Sequence, residues 1–161
     1  MRESMSRAFV READGTDAFE ELPDKLISEH RNLVTSEGLA LIETEVARLE
    51  AAHATAQAAN DRSEIARLSR DLRYWTQRRL TAELASPPTD LATVQFGTVV
   101  TILRADGRRQ MYRIVGEDEA DPAKGTLSYV APLAQALLGK SVGDVVRAGG
   151  DDSEITCIEY S

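Results

Sequence analysis

From Thr35 onward, Leu39, Ile42, Val46 and Leu49 recur at alternating three- and four-residue spacing, and no other feature limits the possible folds as much. Such spacing places a narrow apolar stripe along one face of a helix, which has to be buried against a partner. The partner follows a short polar break. Beyond Asn60-Asp61-Arg62-Ser63, residues Ile65, Leu68, Leu72 and Trp75 repeat the pattern, Leu80 and Leu84 continue the face as it drifts, and Pro87-Pro88 ends the helix. Two helices of about 25 residues each are predicted, antiparallel because their connection is short. Between Ala51 and Ala59 the first helix is alanine-rich, which favours helix but offers only small side chains to the seam.

Charge is divided unevenly along these helices. Residues 37–50 hold four acids and one arginine, whereas residues 62–79 hold six arginines and two acids. The two arms are expected to complement each other, a solvated, salt-bridged surface being favoured over a nucleic-acid-binding one for the arginines. Exposed pairs of this kind contribute under about 1 kcal/mol each and guide register more than stability. The net charge of −8 argues against nonspecific attraction to duplex DNA and for a protein partner.

Residues 1–34 form a separate N-terminal extension, in which Gly15 and Pro23 interrupt any periodicity. An extended or partly ordered arm is expected, with Phe9, Val10, Phe19, Leu22, Leu26 and Ile27 available to dock on the body. The hairpin occupies 35–86 and a second domain 87–161. There Val94–Leu103, Arg109–Val115, Leu127–Val130, Val142–Arg147 and Glu154–Tyr160 read as strands, and Pro132–Leu138 as a short helix. Gly116, Gly139 and Gly143 are assigned to turns. The class is α+β.

At 161 residues the chain can bury a real core without a metal or a disulfide. The single Cys157, in an alternating strand pattern, excludes an intrachain disulfide and is expected to be a small core residue. His30 and His53 make no ligand spacing, and the apolar stretches fall far short of the roughly 18 residues of a membrane span. Without a hydrophobic N-terminal segment, a cytoplasmic protein with no membrane association is expected. No metal cluster, phosphate loop or nucleophile–base pair names an activity.

The run Tyr112-Arg113-Ile114-Val115-Gly116-Glu117-Asp118-Glu119-Ala120-Asp121, followed by Pro132 to Lys140 and by Val142-Gly143-Asp144, resembles the C-terminal domain of bacterial Gre transcript-cleavage factors. The resemblance implies an FKBP-like α+β fold for residues 87–161, docked at the rim of the RNA polymerase secondary channel. Ser128, Val130, Pro132 and Leu133 would centre the partner-binding surface, with Val130 and Ala131 standing where the family has more polar residues. It also implies that the hairpin enters the channel, and that Asp61-Arg62-Ser63-Glu64 is similar to the family's acidic tip motif D-x-S-E. Asp61 and Glu64 would then help hold a Mg²⁺ ion of the polymerase active site, acting as metal ligands only in the complex, and the isolated protein would carry no cofactor.

Two carboxylates three residues apart share a helix face and suit a hard cation. The same pair also suits a purely local role, with Asp61 capping the second helix and Glu64 solvating its first turn. Ile65, Arg67 and Leu68 depart from the family pattern, and each arm is shorter by roughly eight to ten residues, which withdraws the tip by about 12 to 15 Å. Two expectations follow: a monomeric elongation factor that stimulates the polymerase's own cleavage of backtracked RNA, or a non-cleaving regulator in the same channel. Prolyl isomerase activity is not expected, because Phe96, Tyr112, Tyr129 and Tyr160 supply no tryptophan to line such a site.

Overall fold

A computed structural model of the chain describes residues 22–161, so the expected docking of Phe9, Val10 and Phe19 lies outside the described residues. From Leu22 the arm runs without regular structure to a two-residue strand, β1 (Leu33–Val34). Polar contacts hold it to the hairpin: Arg73 pairs with Asp24 at 2.5 Å and Lys25 with Asp71 at 2.8 Å. Leu26 is 96% exposed and Ile27 is also exposed, so these two do not dock as expected; backbone and ionic contacts hold the arm instead.

Helix α1 (Ser36–Ala58) starts where Thr35 accepts a hydrogen bond from the Gly38 N–H at 3.0 Å, satisfying one of the free donors of the first turn. Helix α2 (Arg62–Thr81) returns antiparallel beside it. Ile42, Val46, Leu49 and Leu68 are buried, and Ala52, Ile65, Leu72 and Trp75 pack around Leu49, Ala56 and Leu68. The periodic stripe is therefore the seam.

Two expectations fail here. Helix α2 stops at Thr81, well before Pro87, because Glu83–Leu84 (β2) pairs in parallel with β1. The Glu83 N–H donates to the Asn32 carbonyl at 2.8 Å and the Ala85 N–H to the Val34 carbonyl at 3.0 Å, so the arm replaces the next helical turn as hydrogen-bond partner. Leu84 is 59% exposed on this strand, and Leu80, still within α2, is 73% exposed. Nor do the charged arms complement each other: among the described residues no ion pair joins α1 to α2. Arg48 pairs with Glu45, and Arg67 with Glu64 and Asp71, within their own helices, where partners three or four residues away are nearest.

The second domain is a five-stranded sheet of order β5-β4-β3-β7-β6, made of β3 (Val99–Arg104), β4 (Arg109–Val115), β5 (Thr126–Ser128), β6 (Val145–Ala148) and β7 (Asp151–Glu159). All neighbours are antiparallel except β4 and β5. Helix α3 (Pro132–Leu137) covers the sheet with Ala134 and Leu137 on a core that includes Val100, Ile102, Ile114, Leu127, Val146, Ile155 and Ile158. The molecule is thus α+β, a helical hairpin followed by an α+β domain.

Residues 94–98 are not strand. Val94 is buried there by loop pairing with Gly139 and Lys140. Cys157 is only half-buried, against the expectation of a core position. The β3–β7 register shifts between Thr101 and Ile102, leaving Thr156 without an opposite residue. That bulge moves the inward face from Ile155 to Ile158 and turns Cys157 away from it.

Candidate functional site

The hairpin tip is a three-residue connection, Ala59-Asn60-Asp61. Asn60 adopts φ +52°, a left-handed conformation that asparagine tolerates better than most residues. It donates to the Gln57 carbonyl while Asp61 donates to the Ala56 carbonyl, both at 3.1 Å, closing α1 as a Schellman motif. Asp61 is also the N-cap of α2, its Oδ1 accepting from the Glu64 N–H at 3.1 Å. One residue thereby ends one helix and begins the next.

Both tip carboxylates have local partners. Glu64 accepts two hydrogen bonds from Arg67, one from Nε at 2.9 Å and one from Nη2, and the Arg67 bonds hold its carboxyl below the usual carboxylate range. Asp61 is exposed and uses one oxygen in the cap. The local capping role of Asp61 is therefore realised in the structure, whereas Glu64 pairs with Arg67 instead of solvating the first turn. Two carboxylates can add oxygens to a divalent ion that a partner already holds; a complete site needs more, and among the described residues no group of three or more metal-ligating side chains gathers.

The second set of expected residues lies in the second domain. Ser128 ends β5, an edge strand of the sheet, and Pro132 opens α3 with its ring exposed. Val130 lies half-buried between them, while Leu133 packs against the main core. Strand edge, connecting loop and first helical turn make one continuous border. The 20 residues of α2, about 30 Å of helix, reach from the hairpin base to the tip.

Between tip and edge lies a polar cluster that sequence reasoning missed. Arg78, in the last turn of α2, is 2% exposed, and its Nε donates to Asp118 Oδ2 at 2.5 Å. The Tyr74 hydroxyl donates to the other Asp118 oxygen at 2.6 Å. Burial, reinforced by this carboxylate, pushes the Tyr74 phenol up to about 12, so it remains a donor. Nearby, the Thr35 hydroxyl donates to Glu119 at 2.6 Å, and burial pushes the Glu119 carboxyl above its ordinary value. A signal did exist: Arg78 falls three residues after Trp75, on the stripe that the other positions keep apolar.

Gly116 was assigned to a turn and serves close packing instead. It lacks a positive φ, and a Cβ there would lie 2.4 Å from the Leu33 carbonyl oxygen. Gly139, by contrast, has φ +80° immediately after α3 and does end that helix.

Residues 88–159 match the family model described as transcription elongation factor, GreA/GreB, C-terminal. It is the second domain that the family model covers, and that domain is similar to the C-terminal domain of GreA/GreB factors. The transcription elongation factor GreB of Neisseria meningitidis is 38% identical over 99 residues, covering 58% of this chain and 61% of that protein. This chain thus spans about three fifths of that relative's length. Among solved structures, the GreA/GreB elongation factor of Nitrosomonas europaea is 20% identical, covering 80% of this chain and 98% of its own, with a TM-score of 0.39. Thermus aquaticus Gfh1 is 23% identical, covering 81% and 99%, also at a TM-score of 0.39.

Proposed function

We propose that the chain is a transcription elongation factor that docks on RNA polymerase through the border formed by Ser128, Val130, Pro132 and Leu133. Its hairpin enters the secondary channel, and the tip stimulates the polymerase's own cleavage of backtracked RNA. The observation that supports this is the pair of tip carboxylates, exposed Asp61 and half-buried Glu64, at the far end of a hairpin joined to a domain that matches the GreA/GreB C-terminal model. Carboxylate oxygens are the ligands a Mg²⁺ ion of the polymerase active site would accept, and a bound Mg²⁺ activates water toward a phosphodiester. This chain's residues would orient rather than react, so the protein is an accessory factor and not an enzyme by itself.

A second reading, a channel regulator without cleavage activity, is favoured by the Arg67 contact, which occupies both oxygens of Glu64. Stalled elongation complexes separate the two. The cleavage reading expects wild type to shorten backtracked RNA and Asp61→Asn to be at least tenfold slower with binding retained. Binding without any RNA shortening, by wild type and variant alike, would leave the regulator reading. Failure to compete with a Gre factor for polymerase would sink both.

A further inference from the structure

We propose that the buried pair Arg78–Asp118, flanked by Gly38 and Gly116, is a positioning lock that holds the hairpin at one angle to the second domain. Its role in aiming the tip rests on the elongation-factor reading; its existence as a lock does not. The pair joins the last turn of α2 to the loop that follows β4, and both side chains are buried. Arg78 also lies 3.6 Å from Glu117, and Asn32 donates to the Arg78 backbone carbonyl at 2.7 Å, tying in the arm. Three consecutive acids, Glu117, Asp118 and Glu119, therefore all meet the hairpin or the residues that begin it.

Burying charge is an inefficient way to stabilise an interface, because desolvation offsets most of the attraction and apolar side chains of similar size do as well or better. What a guanidinium adds is direction. Its N–H groups donate along fixed directions in one plane, here Nε to one Asp118 oxygen while Tyr74 holds the other, so the buried pair tolerates little rotation. The two glycines point the same way from independent geometry. A Cβ on Gly38 would lie 1.4 Å from Glu119 Oε2, and one on Gly116 would lie 2.4 Å from the Leu33 carbonyl oxygen. Gly116 leaves no room for a Cβ against the backbone of β1, which pairs with β2 at the base of the hairpin, whereas Gly38 faces the end of the Glu119 side chain, so that a Cβ there would displace this carboxylate from Thr35.

The lever arm gives the angle its consequence. Over about 30 Å of helix, a rotation of about 10° at the base moves the tip by about 5 Å, whereas catalytic groups need placement to within about 0.5 Å. Arg78 is on this account a positioning residue: it touches no substrate and acts through the direction of α2.

The test uses the full chain with Cys157→Ser, spin labels on Ser63→Cys at the tip and Lys140→Cys in the second domain, and pulsed distance measurement. Wild type should give one narrow distance. Arg78→Met should broaden or shift it, and Gly116→Ala should do so without altering charge. Arg78→Lys, which keeps charge but loses the fixed plane of donors, should fall between, while Arg48→Met, in an exposed pair within α1, should match wild type. In the polymerase assays Arg78→Met should keep binding within about threefold, a change of about 0.65 kcal/mol, and lose at least tenfold in tip-dependent output.

Unchanged distances in Arg78→Met and Gly116→Ala, with native circular dichroism, would overturn the lock. Should Arg78→Met fail to fold, Gly116→Ala and Arg78→Lys decide the same question. Altered distances with full tip-dependent output would overturn the aiming role. A wild-type protein that ignores polymerase would sink the elongation-factor reading alone, and the label distances would still judge the lock.

Discussion

Asp61 shows how one side chain can carry two roles that a single substitution confounds. As the N-cap of α2 it satisfies a free backbone donor, and as an exposed carboxylate it is available to a cation. Alanine removes both, whereas asparagine caps about as well and removes only the charge. Asp61→Ala should lose about 1 kcal/mol in urea unfolding followed by helical circular dichroism, and Asp61→Asn only a few tenths. A cleavage defect in Asp61→Asn would then report charge; equal destabilisation by both variants would show that the cap is not the source. The capping role was legible because Asp61 stands immediately before the second apolar repeat. Arg67 as the partner of Glu64 is equally local, three residues away, and the nearer acid takes the arginine before the opposite arm can.

At the scale of elements, periodicity predicted the hairpin seam and failed at its end. Leu80 and Leu84 continue the apolar pattern, yet backbone pairing of β2 with β1 takes residues 83 and 84 out of the helix. The seam itself is thin, because Leu49 and Leu68 pack among alanines that cannot move to fill space. Leu68→Ala should therefore lie within the usual range for buried leucine, about 2 to 5 kcal/mol, and should reduce helix content near the tip first. Hydrogen exchange would check this: protection lost around residues 49–68 with the sheet unaffected is expected, and uniform loss would contradict it. In the sheet, the bulge opposite Thr101 is the corresponding failure of alternation, since one extra residue reverses every later side chain of β7.

On the scale of the whole molecule, the junction between hairpin and second domain also sets a pH dependence. Burial raises the Glu119 carboxyl above its ordinary value of 4.5, against the opposing Thr35 hydrogen bond, so the folded state holds its proton to higher pH than the unfolded chain does. Where the folded state binds more protons, stability falls as pH rises, here from about 4.5 through the raised folded value, and is level above it. Glu119→Gln should remove that slope. Because Glu119 is only half-buried and solvent screens it, the difference should be under about 1 kcal/mol, read from urea unfolding between pH 4 and 8. Parallel profiles for wild type and variant would exclude the assignment. By itself the sequence determined two antiparallel helices, their capped turn and a Gre-like second domain, because periodicity, capping and family motifs are written in neighbouring residues. The tertiary structure decided where α2 stops, which way Cys157 faces and how the hairpin is held to the second domain. Those depend on Leu33 meeting Glu83, Thr101 meeting Cys157 and Arg78 meeting Asp118. Residues so far apart along the chain have no local pattern to announce their contact, and only packing brings them together.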